Sequence, residues 1–169
     1  MYFSEWRRLQ RTKDLFNIYG SHVCEGISRE NFENIVYNFL PFAMKQLRIR
    51  QLPKIHFVDD PKFAKRMATF GQIEDKRIVI YIQDRQIMDV LRTLAHELVH
   101  YRQHMGGKVG SGKAGSFAEN EANSLAGKIV RLFGEKNPGL FAFPSISESK
   151  KKKKKTVDID SEHYPMELV

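Results

Sequence analysis

Ile87-Met88-Asp89-Val90-Leu91-Arg92-Thr93-Leu94-Ala95-His96-Glu97-Leu98-Val99-His100-Tyr101-Arg102-Gln103-His104-Met105 is the stretch that decides how this chain folds. Ile87, Val90, Leu91, Leu94, Leu98 and Met105 recur at helical spacing and line one face. Asp89, Thr93, His96, Glu97, His100 and His104 form a polar stripe opposite. The pattern predicts a helix from Ile87 to about Met105, with Asp84 as its N-cap and Gly106-Gly107 as its stop. Within it, His96-Glu97-Leu98-Val99-His100 has the form H-E-x-x-H. Residues four apart stack on one helix face, so both imidazoles can reach one ion. Glu97 lies one step round, where its carboxylate can touch a water held by the ion without occupying the ion itself. Zinc brings the pKa of such a water towards about 7. Glu97 can then take the proton and pass it to a leaving amine.

A catalytic zinc keeps three protein ligands and leaves a fourth position for water. His104 is a poor third ligand. It lies eight residues beyond His96, about 12 Å along an unbroken helix axis. A loop rich in Gly, Ser and Lys follows, and then a second helix from about Phe117 to Phe133, capped by Ser116. Its apolar face carries Ala118, Ala122, Leu125, Ile129 and Leu132. It offers Glu119 and Glu121, which stand roughly 200° apart and so face different ways. Ser116-Phe117-Ala118-Glu119 is a capping box, which gives Glu119 the helix start and leaves Glu121 for the metal. The expected site is therefore His96, His100 and Glu121 as ligands, with Glu97 as the base.

Upstream, Lys54-Ile55-His56-Phe57-Val58 reads as a strand that ends at the turn signal Asp59-Asp60-Pro61. Met67–Ile73 and Arg77–Ile82 read as a hairpin around Glu74-Asp75-Lys76. The second of these is almost continuously apolar, which predicts a strand buried on both faces. Residues 67–73 are then the candidate edge strand, where an extended peptide could add itself beside the metal. Tyr81, Tyr101 and His104 are candidate oxyanion stabilisers. Met1 to about Leu52 reads as helical. Phe32, Ile35, Val36, Phe39 and Ala43 sit at helical spacing, Ser28 is a plausible N-cap, and Pro41 is expected to kink or restart the helix.

With 169 residues the chain is long enough for one domain with a real core. We expect that domain over residues 1–144 and a flexible tail over 145–169, where Lys150–Lys155 repel one another. The net charge is +8. The tail carries six Lys against five Asp/Glu, so nearly all of the excess lies on the body. A basic body favours anionic partners, a nucleic acid or an acidic protein, or serves only solubility. No stretch is apolar enough for a membrane span. The N-terminus lacks the apolar segment of a secretory signal. Cys24 is the only cysteine, which excludes an internal disulfide and fits a reducing, cytoplasmic setting.

The motif at 96–100, followed 21 residues after His100 by Glu121 within Asn120-Glu121-Ala122-Asn123-Ser124, resembles the gluzincin metallopeptidases, the group that includes thermolysin. Glu-x-Glu-Ala-Asn at 119–123 is also similar to small bacterial and phage metallopeptidases. The resemblance covers about residues 50–133. It implies an α+β minimal zincin: N-terminal helices, a short mixed sheet, the motif helix and a glutamate helix. It implies a zinc endopeptidase acting on protein substrates, with Glu121 as third ligand. In thermolysin an Asp four residues after that ligand orients a zinc-bound His. Here the position is Leu125, so support for the ligands has to come from elsewhere, with Glu119 and Asn123 as candidates. Two other functions fit the same residues. One is an SprT-like protease acting on DNA-bound proteins, although that family takes its third ligand from histidine. The other is a zinc-binding structural or interaction module without turnover.

Overall fold

The computed structural model describes residues 15–21, 23–67, 69–74, 77–107 and 114–141. The Lys-rich tail expected at 145–169 and the first fourteen residues lie outside them. In chain order the elements are β1 (Phe16–Tyr19), α1 (Arg29–Leu47), β2 (Lys54–Val58), α2 (Pro61–Met67), β3 (Gly71–Glu74), β4 (Arg77–Tyr81), α3 (Ile87–Met105) and α4 (Phe117–Lys136). A 3-10 turn, Pro138–Phe141, follows. Helices and a mixed four-stranded sheet make this an α+β arrangement, as the sequence predicts.

The strand order is β1-β2-β4-β3. β1 runs parallel to β2 and β2 to β4, while β3 returns antiparallel along β4. The expected hairpin therefore exists, with β4 interior and β3 at the edge. The alternation of the strands sorts their side chains between two faces. Phe16, Ile55, Phe57, Ile78 and Ile80 point into the main core, where they meet Phe32, Phe39 and Leu40 of α1 and Leu91, Leu94 and Leu98 of α3. Each large side chain fully buried there contributes roughly 1.5–3 kcal/mol relative to exposure. On the opposite face Val79 and Tyr81 pack with Phe63 of α2, which is why β4 is apolar on both sides.

Several local expectations are corrected. The region read as helical up to Leu52 contains a strand, β1. Its four residues are too few to carry a period of their own, and its parallel partner β2 lies almost forty residues on. Pro41 does not end α1, which runs unbroken from Arg29 to Leu47. Proline removes one helical hydrogen bond, but Leu40, Ala43, Met44 and Leu47 on either side of it are buried in the same core and hold both halves in line. Ser28 caps α1 as expected, its hydroxyl accepting from the Asn31 N–H. Asp59-Asp60-Pro61 is a helix start rather than a plain turn. The Asp60 carboxylate accepts from the Lys62 N–H at 2.9 Å, and Pro61 opens α2. That helix takes up Met67, so the third strand is confined to Gly71–Glu74.

The motif helix α3 has the predicted limits, but its N-cap is Gln86. Asp84 instead adopts a left-handed conformation at φ 56° in the preceding turn. α4 continues beyond Phe133 to Lys136, carrying Gly134 inside its buried face. α3 and α4 pack against one another through Leu94, Ala95 and Leu98 on one side and Ala122, Ala126 and Ile129 on the other. This pairing sets the start of α4 against the second half of α3. Among the described residues, no helix is long and apolar enough to cross a membrane.

Candidate metal centre

His96 and His100 occupy adjacent turns of one face of α3. Their Nε2 atoms lie 3.0 Å apart. The third group brought to them is Glu119, from the first turn of α4. Its Oε1 is 3.0 Å from His100 Nε2 and its Oε2 is 3.5 Å from His96 Nε2. Ligands about 2.0–2.1 Å from a tetrahedral zinc stand roughly 3.3 Å from one another, so the three separations suit one shared ion. Among the described residues this is the group of histidine and acidic side chains that could hold a metal ion.

Glu121, expected as the third ligand, is directed elsewhere. Its Oε1 accepts from Arg102 at 2.6 Å and its Oε2 from Gln103 at 2.9 Å, so it meets α3 one residue contact behind the histidine pair. The capping box explains the difference. Ser116 does cap α4, its hydroxyl accepting from the backbone N–H of Glu119 at 3.3 Å. That bond uses the main chain of Glu119 and leaves its carboxylate available to the histidines. Capping and ligation are compatible in one residue, and the rotation between positions 119 and 121 then points Glu121 away.

Glu97 is 7% exposed, set between α3 and the edge strand β3. Burial, and then the nearby Glu119 carboxylate, push its own carboxyl up to about 7. The wall against it is Gly71. A Cβ at that position would come 2.6 Å from Thr93 Cγ2 and 3.0 Å from Glu97 Oε1, so only glycine lets β3 approach this closely. Gly71→Ala should force β3 and α3 apart and cost roughly 1–3 kcal/mol of stability, the usual range for overpacking. Urea unfolding of the variant measures this, and an unchanged midpoint would contradict the close approach.

The raised carboxyl gives the metal-free protein a stability that depends on pH. Between the unfolded value of 4.5 and about 7, the folded chain keeps on Glu97 a proton that the unfolded chain releases. Stability from this group is complete below pH 4.5 and is lost as the pH rises through 7, by roughly 3 kcal/mol at 1.36 kcal/mol per unit. Glu97→Gln removes the dependence. His96 titrates in the opposite sense, since burial, and after it His100, lower its pKa, but it does so in both proteins. The difference in unfolding free energy between variant and wild type, followed from pH 4.5 to 7.5 in chelator, should therefore grow in favour of the variant. A flat difference would rule out a buried, proton-holding Glu97.

Each histidine has a further partner. His96 hydrogen-bonds the side chain of Asn123, one of the residues proposed to replace the missing Asp at Leu125. His100 Nδ1 lies 2.8 Å from Gln103 Oε1, a support that sequence reasoning missed. The signal was present in the three-residue spacing, which places Gln103 beside His100 on α3. Of the candidate oxyanion stabilisers, Tyr81 belongs to the small cluster with Phe63 and Val79, Tyr101 is buried in the main core, and His104 is exposed in the last turn of α3. Cys24 offers no nucleophile, because burial pushes its thiol up to about 12. No protein-family model, curated protein or solved structure matches this chain.

Proposed function

We propose that this protein is a zinc-dependent endopeptidase built as a minimal zincin. The observation that carries the reading is the convergence of His96 Nε2, His100 Nε2 and a Glu119 carboxylate oxygen, with Glu97 buried at their side. Two imidazoles and a carboxylate are a donor set of the catalytic zinc type. Zinc bound there would supply a Lewis acid, polarising a substrate carbonyl and acidifying a water towards about pH 7. The protein's own part is to hold the ion, position a proton acceptor and present the substrate. Glu97 accepts the proton of the attacking water and delivers it to the departing amine nitrogen. Its burial beside the ligands keeps that carboxylate out of bulk water and within reach of the reacting groups.

β3 supplies the binding edge. It is the last strand of the sheet, and Gly71 lies against Glu97. An extended peptide pairing with its outer edge would lie alongside the metal centre, its main chain held by strand hydrogen bonds. Phe70, at the head of that strand, is 54% exposed and carries the Arg85 guanidinium 4.6 Å over its ring, an apolar and cationic pair beside the binding edge. A glutamate third ligand counts against the SprT-like alternative, whose third ligand is histidine. A zinc-holding module without turnover uses the same three ligands but has no need of a buried carboxylate beside them.

Metal analysis and a cleavage assay on unfolded casein test the proposal together. About one zinc per chain is expected, with cleavage abolished by a chelator and restored by zinc. Protein that neither contains zinc nor is stabilised by it would sink the reading. Bound zinc without cleavage would leave the non-catalytic module.

A further inference from the structure

Gln103 is 5% exposed and uses both ends of its carboxamide. Its nitrogen donates to the Ala118 carbonyl at 3.1 Å and to Glu121 Oε2 at 2.9 Å. A carbonyl and a carboxylate oxygen only accept, so the amide oxygen cannot be the atom on that side. The oxygen therefore faces His100, whose Nδ1 is 2.8 Å away. It too only accepts, so Nδ1 carries the ring hydrogen. A neutral imidazole with its hydrogen on Nδ1 has its lone pair on Nε2, the atom that faces His96 and Glu119. Arg102 completes the chain by holding the other oxygen of Glu121 at 2.6 Å.

We infer that Gln103 is a positioning residue for the metal centre: steadied by Ala118, and by Glu121 and Arg102 behind it, its carboxamide fixes His100 as the Nδ1–H tautomer and aims Nε2 at His96 and Glu119. This rests on the metal-binding reading above. It gives Glu121 a place in the centre one step removed from ligation. It also answers for Leu125, since the orienting group comes from within the motif helix. Outer partners of this kind are commonly worth 10–100-fold in metal affinity.

Two readouts test the inference, and one needs no metal. Long-range proton–nitrogen spectra of metal-free protein, taken with the ring neutral, should place the His100 hydrogen on Nδ1. Gln103→Leu should move it to Nε2 or to a mixture, and should weaken zinc binding 10–100-fold in competition with a chromophoric chelator. Gln103→Glu alone sets two carboxylates against each other and should also weaken binding. The exchange Gln103→Glu with Glu121→Gln reverses donor and acceptor between the two positions and keeps an acceptor for Nδ1–H, at the cost of the bond to the Ala118 carbonyl. It should restore the Nδ1–H tautomer and bind zinc more tightly than Gln103→Glu alone, which a residue that merely fills space would not do. The inference is overturned if Gln103→Leu keeps both the Nδ1–H tautomer and wild-type affinity. Should that variant fail to fold, an exchange variant with its hydrogen on Nε2 overturns it equally. Wild-type protein that binds no zinc while its tautomer follows Gln103 would remove the metal reading and uphold the hydrogen-bond assignment.

Discussion

Glu119→Ala is expected to empty the metal centre, and Glu121→Ala to leave it loaded but weakened. Glu119 places both carboxylate oxygens against the histidine pair, at 3.0 and 3.5 Å. Its removal takes away the one anionic donor and should cost more than the 10–100-fold typical of losing an outer partner. Glu121 touches Arg102 and Gln103. Its removal loosens Gln103, and His100 through it, so the expected loss stays within that 10–100-fold range. Because Ser116 caps α4 through the Glu119 backbone N–H, Glu119→Ala keeps the cap and should remain folded. Zinc affinities of the two variants decide the matter. A loaded Glu119→Ala beside an empty Glu121→Ala would reverse the assignment made here.

The second large effect belongs to Glu97→Gln. The amide occupies the same buried space and leaves His96, His100 and Glu119 in place, so zinc content should match wild type. It cannot accept a proton, so turnover should fall by about 10²–10⁴-fold, the usual share of general acid–base catalysis. The outcome expected is a loss in kcat with metal retained. Wild-type cleavage by Glu97→Gln would refute the mechanism even with zinc in place.

How much of this was legible in the sequence depended on the distance over which each signal acts. α3 was readable almost to the residue, since nineteen positions repeat one period and the motif sits inside it. β4 was readable as an interior strand because both of its faces are apolar. β1 was not, since it is a strand only by virtue of β2, and Pro41 misled because the core packed around it outweighs one lost hydrogen bond. At the site, the pairing of His96 with His100 followed from spacing along one helix. The choice between Glu119 and Glu121 depended on how α4 is rotated against α3. Ala122, Ala126 and Ile129 set that rotation by packing, which no local motif records.

The two-helix support has a consequence for folding. An ion shared by His100 and Glu119 ties a ring of chain that leaves α3, passes the connecting segment and returns at α4. In a zinc finger the metal must close such a ring against chain entropy, and without metal the domain falls apart. Here Leu94, Leu98, Ala122 and Ala126 already hold the ends of the ring together from beneath. The apolar core has met the entropy of closure before any ion arrives. Almost all of the binding free energy can then appear as affinity, and a chelator should strip the ion from a chain that keeps its shape.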